Sequence, residues 1–219
     1  MAKDKNLPKT GEQVKRSFGI ADLRAVEEGS YIEGHPAVYD QMTDIGGYFY
    51  EVIERGAFDG CNFDDVLFST NHQWYDRIPL ARSRRNNGNS TMTLQTDDKG
   101  LCIKANLDIE RNAEARSLYS AVERGDISGM SFIFYVKEQR WVNLDTDMPT
   151  RYISKISRVR EVSAVNYPAY EGTDINARDQ EALDNAARVL ENARSELDNS
   201  KSGQELELLR LRTQILMKG

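Results

Sequence analysis

Hydrophobic and polar residues alternate in short runs along most of the chain between residues 14 and 166, and turn-forming residues separate the runs. Alternation with a period of two predicts β-strands, because successive side chains of a strand point to opposite faces of a sheet. Pro36 predicts an edge position or a bulge in the second of these strands. The predicted strands are 14–23, 31–39, 48–53, 66–70, 78–82, 91–95, 101–107, 132–136, 151–156 and 158–166.

One segment, 112–124, has helical periodicity instead. Its apolar residues Ala115, Leu118, Tyr119 and Val122 recur at helical spacing, and Gly125 follows at the place of a C-terminal helix cap. Many short strands with one such helix predict a mainly β fold with helices, of the α+β class. We expect its strands to close into a β-barrel.

The last part of the chain has a different composition and predicts a helical tail. Leucine and alanine recur at intervals of three and four, as in the seam of a coiled coil, and residues 199–203 predict a break in the helix. The narrow apolar stripe must pack on the protein's own core or on another chain, so folding back and self-association both stay open. The stripe consists of Leu183, Ala186, Leu190, Ala193 and Leu197 before the break and Leu208, Leu211 and Ile215 after it.

These patterns divide the 219 residues into three parts. Residues 1–14 are polar and lack periodicity, which predicts a flexible N-terminal arm. Residues 15–173 predict the β-barrel domain, and they are numerous enough to bury one full core. Residues 174–219 form the predicted helical tail.

Composition narrows the classes of function. No run approaches the ~20 apolar residues of a membrane span, and no apolar run follows the first charged residues, so neither a membrane helix nor a secretory signal is expected. The net charge of −6 argues against a dedicated nucleic-acid binder. The basic cluster at 82–85 is interpreted as a solvated loop.

Metal and nucleotide cofactors are not expected either. Cys61 and Cys102 lie far apart in the sequence, which fits a reducing cytosol, and with only two histidines they assemble no zinc pattern. The chain contains neither GxxxxGK[ST] nor GxGxxG, the fingerprints of mononucleotide and dinucleotide sites.

Ser131 is a candidate nucleophile, because it stands where the chain leaves a helix, turns through Gly125 and Gly129, and begins a strand. A serine is a weak nucleophile until a base takes its proton. That base is usually a histidine, and the chain offers only His35 and His72. From the residues alone, an ordinary strand start at Ser131 and a structural role for either histidine stay open.

A third group must orient the imidazole and stabilise its cation. Strand parity places Glu161 on one face with Val159 and Ser163. A carboxylate among apolar residues needs a partner. That partner is either the imidazole or, in a surface ion pair of little energetic worth, one of the adjacent arginines.

Several motifs follow one another in an informative order. The most specific are Asn-His at 71–72, Ser-Gly-Met-Ser-Phe at 128–132, and Glu-Val-Ser at 161–163 with Pro-Ala-Tyr at 168–170. The others are Gly-His-Pro-Ala-Val-Tyr-Asp at 34–40, Glu-Arg-Gly-Ala-Phe at 54–58, Pro-Leu-Ala-Arg at 79–82 and Gly-Leu at 100–101. In this order, over residues 18–173, they resemble the prohead proteases of tailed bacteriophages of the HK97 type.

The resemblance implies a serine endopeptidase that matures a viral shell from inside. The family is distantly similar to herpesvirus assembly proteases, whose fold is a β-barrel ringed by helices and whose triad is ordered His, Ser, then His. Motif by motif, the resemblance implies His72 as general base and Ser131 as nucleophile, with Glu161 near the third position. Because the herpesvirus pattern has histidine there, Asp76 and Asp126 stay alternatives to Glu161.

The resemblance also bears on the rest of the site and on the partners. An arginine-bearing segment, here with Arg158 or Arg160, is implied beside backbone N–H groups for the oxyanion. Ser128 is a rival nucleophile, although it lacks the aromatic strand that follows Ser131. The implied substrates are the major capsid protein, its scaffold segment and the protease itself, inside the assembling procapsid in the host cytoplasm.

Two further expectations concern the tail and a second class of function. The helical tail is a candidate surface for forming a homo-oligomer. The alternative to a protease is a non-catalytic capsid assembly or scaffold protein that works through this tail.

Overall fold

The computed structural model describes residues 12–18, 22–26, 30–84, 89–166 and 180–216. These residues form eleven strands and two helices. The strands are β1 (Glu12–Phe18), β2 (Arg24–Val26), β3 (Tyr31–Val38), β4 (Thr43–Ile45), β5 (Phe49–Ile53), β6 (Leu67–Thr70), β7 (Ala81–Arg82), β8 (Met92–Thr96), β9 (Gly100–Asn106), β10 (Gly129–Val142) and β11 (Thr150–Val165), and the helices are α1 (Ala113–Glu123) and α2 (Gln180–Leu216).

The strands are arranged in two sheets. The larger sheet has the order β1-β10-β11-β5-β4, and its long strand β11 pairs in parallel with β5 near its start and with β6 near its end. Strand β7 pairs with β6. The smaller sheet, β2-β3-β9-β8, is antiparallel throughout.

Both sheets and α1 contribute to one hydrophobic core. The rings of Phe132 and Phe134 on β10 stack at 4.4 Å between centroids. Full burial of one such side chain contributes roughly 1.5–3 kcal/mol. Further buried members are Ile32 of β3, Leu101 and Ile103 of β9, Val159 and Val162 of β11, and Ala115, Leu118 and Val122 of α1.

The helix predicted at 112–124 is confirmed. The Asn112 side chain caps α1 by accepting hydrogen bonds from the N–H groups of Glu114 at 2.9 Å and Ala115 at 3.2 Å. Such a cap contributes about 1 kcal/mol. Gly125 follows with a φ of 78°, a left-handed conformation that favours glycine at the end of a helix.

The α+β class is confirmed, but the predicted β-barrel is wrong. Within the described residues the strands form two separate sheets and no closed barrel. The larger sheet ends at β1, at β4 and, on its branch through β6, at β7, and the smaller one ends at β2 and β8. Alternation identifies strands, but closure depends on which strands become neighbours, and the pattern carries no information on that.

Two strand boundaries also need correction. The predicted arm 1–14 overlaps β1, which begins at Glu12 and buries Val14 completely, while residues 1–11 lie outside the described part. The strands predicted at 151–156 and 158–166 are one continuous strand, β11. The bulge predicted at Pro36 is confirmed, since the pairing of β3 with β9 shifts between Gly34 and Ala37, although β3 is not an edge strand.

The predicted break at 199–203 is wrong, because α2 continues through it. Each residue of poor helix propensity there costs at most about 1 kcal/mol, which good helix formers on both sides offset. The first part of α2 folds back on the protein, where Ala186 and Leu190 pack against Ile45 and Phe49. The division into arm, domain and tail otherwise stays a prediction.

Candidate active site

Three adjacent strands place three serines in one row. Ser131 of β10 pairs with Ser163 of β11, and Ser163 in turn pairs with Ser69 of β6. Residues opposite each other in register share a face of the sheet. Glu161 lies two residues before Ser163 on β11 and therefore shares this face as well.

His72 reaches the same face through a left-handed turn after β6. Asn71 and His72 have φ angles of 50° and 58°, a conformation that costs a non-glycine residue about 1–3 kcal/mol. Hydrogen bonds to β11 hold the turn: the N–H of Asn71 donates to the carbonyl oxygen of Ala164 at 2.9 Å, and the N–H of His72 donates to Ser163 Oγ at 2.9 Å.

The imidazole of His72 lies between a hydroxyl and a carboxylate. His72 Nε2 is 2.6 Å from Ser131 Oγ, and His72 Nδ1 is 2.6 Å from Glu161 Oε2. The other carboxylate oxygen, Glu161 Oε1, accepts a hydrogen bond from Ser69 Oγ. Ser131 and Glu161 are both 0 % exposed. Both are hydrogen-bond distances, and the one to Ser131 lies within the range in which a base takes a proton from a nucleophile.

The carboxylate determines how the imidazole is protonated. An ionised carboxylate only accepts hydrogen bonds, so Nδ1 of His72 must carry the proton of the bond to Glu161. In the neutral ring, Nε2 is then the acceptor, and it faces Ser131 Oγ. This arrangement prepares the ring to take a proton from a serine hydroxyl.

Comparison with known protein families shows which family the chain belongs to. The sequence model of the caudovirus prohead serine protease family matches residues 20–187, which is more than half of the chain. The chain belongs to this family. Its members are serine proteases of phage capsid maturation, so the resemblance deduced from the motifs is confirmed. A comparison with curated proteins gave no significant match, and neither did one with solved structures, so the likeness to herpesvirus proteases stays a prediction.

Among the residues that the structure describes, the rival nucleophile and the acidic alternatives to Glu161 do not contact the imidazole. Ser128 is exposed. Asp126 is exposed and binds the guanidinium of Arg124 at 2.5 Å. Asp76 is exposed, and no hydrogen bond among the described residues joins it to His72. Of the three acidic candidates, only Glu161 contacts the imidazole.

His35 belongs to a different cluster, at the bulge of β3. Its Nδ1 is 2.9 Å from Asp22, and its Nε2 is 2.8 Å from Asp97. Burial raises the pKa of Asp22, but hydrogen bonds from Lys99 and His35 outweigh it and lower the pKa to about 2. With both ring nitrogens facing carboxylates, His35 is a structural link between β3 and the β8–β9 turn.

One group of metal-capable side chains within the described part of the chain is His35, Asp97 and Cys102, whose ligand atoms lie within 4.8 Å of one another. Burial and the neighbouring carboxylates raise the pKa of Cys102, which favours the thiol over the thiolate that metals prefer. The imidazole is already occupied on both sides. The donor set therefore fits a structural cluster better than a metal site.

The two arginines predicted for the oxyanion stand at different separations along β11 from the strand partner of the nucleophile. On β11, Arg160 is three residues from Ser163, the partner of Ser131, and Arg158 is five residues away, which is roughly 10 Å and 17 Å along a strand. The guanidinium of Arg160 lies 5.2 Å from the centre of the Trp74 ring. Among the described residues, no hydrogen bond joins either arginine to Ser131, so this role stays a prediction.

Sequence reasoning missed the residues that support the site. Ser163 holds the backbone of His72, Ser69 holds the carboxylate of Glu161, and the carbonyl oxygen of Arg16 contacts Ser131 Oγ at 2.8 Å. The spacing of two residues between Glu161 and Ser163 predicted that they share one face of the sheet. Nothing in the local pattern indicated that β6 and β1 lie beside them.

One result concerns membranes. Among the described residues, neither helix is both long enough and apolar enough to span a bilayer.

Proposed function

We propose that this chain is a serine endopeptidase that cleaves capsid protein and its scaffold segment during prohead maturation, and that it also cleaves itself. Ser131 is the nucleophile, His72 is the general base, and Glu161 orients and stabilises the imidazole. The observation that carries the proposal is the position of the His72 ring, 2.6 Å from Ser131 Oγ on one side and 2.6 Å from Glu161 on the other.

The reaction is acyl transfer. Ser131 Oγ attacks the carbonyl carbon of the scissile peptide while its proton moves to His72 Nε2. The carbon–nitrogen bond then breaks, and His72 gives that proton to the leaving amine. Water repeats the sequence on the acyl-enzyme, with His72 again as base, and restores the Ser131 hydroxyl.

Glu161 suits the third role, although herpesvirus proteases have histidine at the corresponding place. Its negative charge stabilises the imidazolium that forms during attack, in a buried setting where charges interact more strongly than in water. The bond from Ser69 keeps the carboxylate in this orientation.

Backbone N–H groups and Arg160 are the proposed oxyanion donors. Arg160 is preferred over Arg158, because it is closer to Ser131 along the sheet and lies over Trp74, two residues beyond His72. Arg158 stays the alternative. The proposed place of action is the procapsid in the host cytoplasm, in keeping with the family.

The experiment compares Ser131→Ala with the wild-type protein and with Ser128→Ala as the matched control. Self-truncation and cleavage of the phage's major capsid protein are followed by mass spectrometry, and a fluorophosphonate probe reports on reactive serine. We expect Ser131→Ala to fold and to lose cleavage and labelling, while Ser128→Ala keeps both. Cleavage retained by folded Ser131→Ala contradicts the assignment.

A second candidate function is non-catalytic assembly through α2. The observation in its favour is the exposure of Leu208, Leu209 and Leu211 in the second half of that helix. A chain ending at residue 203 separates the two candidates, because it keeps the part of α2 that packs on Ile45 and Phe49 and removes the exposed leucines. We expect it to keep labelling by the probe and to have a lower oligomeric state by light scattering. An unchanged oligomeric state argues against self-association through α2.

A further inference from the structure

Strand β1 lies directly along the strand that carries the nucleophile. It pairs antiparallel with β10 from Glu12 opposite Val136 to Phe18 opposite Met130, and Ser17 stands opposite Ser131. β1 is also an end strand of the larger sheet. Its departure from the sheet breaks one ladder of hydrogen bonds, that with β10, and leaves the other strand pairs intact.

The hydroxyl of Ser131 is blocked by this strand in two ways. Ser131 Oγ lies 2.8 Å from the carbonyl oxygen of Arg16, and Ser131 has no exposed surface. A hydroxyl has a single proton, so a proton donated to Arg16 is not available to His72 Nε2. A substrate carbonyl has no room beside Oγ while β1 is in place.

Besides the backbone ladder with β10, an ion pair and a buried valine among the described side chains 13–16 hold β1. Arg16 is 4 % exposed, and its guanidinium binds Glu51 of β5 in a bidentate pair, with distances of 2.5 Å and 3.0 Å. Glu51 also accepts a hydrogen bond from Arg151 at 3.2 Å. Val14 is completely buried. If Arg16 leaves, Arg151 still neutralises Glu51, so no unpaired charge stays buried.

We propose that the substrate binds as an extended strand along the β10 edge that β1 occupies, and that β1 is an intramolecular competitor of the substrate. A free β10 edge presents unpaired N–H and C=O groups beside Ser131, which an extended polypeptide pairs with. The incoming strand fills the apolar position of Val14 and faces the carboxylate of Glu51. This inference rests on the proposed peptidase function.

A cross-strand disulfide tests whether β1 must move. Gln13 and Tyr135 stand opposite each other, and their side chains touch at 3.4 Å. Opposed residues have Cα separations of roughly 4.5–5.5 Å, which a disulfide spans. We expect the double variant Gln13→Cys/Tyr135→Cys to lose at least about tenfold in labelling rate and capsid-protein cleavage when oxidised, and to recover both on reduction. Gln13→Cys alone and the wild type, treated with the same oxidant, control for Cys61 and Cys102.

A variant that weakens the attachment of β1 is expected to be labelled faster, the opposite of the effect of the disulfide. Arg16→Ala removes the bidentate pair, and we expect the probe to label Ser131 several-fold faster than in the wild type. Arg24→Ala is the matched control, since it removes an arginine–glutamate pair with Glu33 on the other sheet. A synthetic peptide of residues 12–18 is expected to slow labelling of Arg16→Ala in a saturable manner. The same peptide with glutamate for Arg16 is expected to do so more weakly, because Glu51 repels it.

The outcomes separate this inference from the peptidase assignment. If the oxidised and the reduced double variant are labelled and cleave capsid protein at equal rates, the role of the β10 edge is overturned. The peptidase assignment is unaffected by that result. Slower labelling of folded Arg16→Ala than of Arg24→Ala also overturns it, since β1 is then only a support of the site. Absence of cleavage and of labelling in every variant, including Arg16→Ala, overturns the peptidase and this inference with it.

Discussion

Replacing Glu161 by glutamine tests the site most directly, because it keeps the shape of the side chain and removes its charge. The carboxylate accepts two hydrogen bonds, from His72 Nδ1 and from Ser69 Oγ. Glutamine offers an oxygen on one side and an NH₂ group on the other. If the NH₂ group faces His72, Nδ1 must become the acceptor, and Nε2 then carries the proton and cannot take one from Ser131.

Either orientation of the amide costs activity. If its oxygen faces His72 the tautomer is preserved, but the charge that stabilises the imidazolium is gone. Loss of the corresponding carboxylate in serine proteases costs roughly 10⁴-fold in kcat. We expect a loss of about 10³–10⁴-fold here, or roughly 4–5.5 kcal/mol at 1.36 kcal/mol per factor of ten.

The assay measures kcat and KM for capsid-protein cleavage together with thermal unfolding. Glu161→Gln is expected to lower kcat at a nearly unchanged KM, with a change in unfolding free energy within about 2 kcal/mol, because Ser69 can rotate to satisfy the amide. Glu54→Gln is the matched control, since Glu54 pairs with Arg140 at 2.7 Å away from the site. A folded Glu161→Gln protein that keeps more than about a tenth of wild-type kcat contradicts the role assigned to the Glu161 carboxylate.

Three further predictions concern the supports of the site and the fold. Ser69→Ala is expected to lower kcat by roughly 10–100-fold with little change in KM, because the carboxylate loses its second hydrogen bond; unchanged kcat would show that the bond does not orient Glu161. Leu190→Ala is expected to cost about 2–5 kcal/mol in denaturant unfolding, against less than about 0.5 kcal/mol for the exposed Leu208→Ala, and equal effects would contradict the packing of α2 on the core. The pKa of Asp22 is lowered in the folded state to about 2, so its contribution to stability is present above its ordinary pKa of 3.8 and is lost as the pH falls towards 2. Thermal unfolding of Asp22→Asn should accordingly depend less on pH between 4 and 2 than that of the wild type, and an identical dependence would refute this.

Local pattern predicted the elements of this fold better than their arrangement. The spacing of Ala115, Leu118 and Val122 predicted α1, because the apolar face of a helix repeats every three to four residues. The same kind of pattern cannot choose between a barrel and two sheets, since β6 pairs with β11 across some 90 residues of sequence. The helix break at 199–203 was wrong because propensity is a weak prior over a few residues.

The site was predicted in a similarly uneven way. Parity alone placed Glu161 and Ser163 on one face, and the order of the motifs singled out His72 and Ser131. The residues that hold these side chains, among them Ser69 and Arg16, lie on strands whose neighbours the sequence does not reveal. What a serine contacts across a sheet depends on register, and a shift by one residue moves it to the other face.

The position of His72 depends on tertiary contacts. Two consecutive left-handed residues, Asn71 and His72, are unfavourable by themselves, and hydrogen bonds to Ala164 and Ser163 of β11 compensate for them. The same strand supplies Glu161, which orients the ring. Parallel pairing of β6 with β11 therefore places the imidazole and its carboxylate together, so the base is assembled only when these two strands have folded against each other.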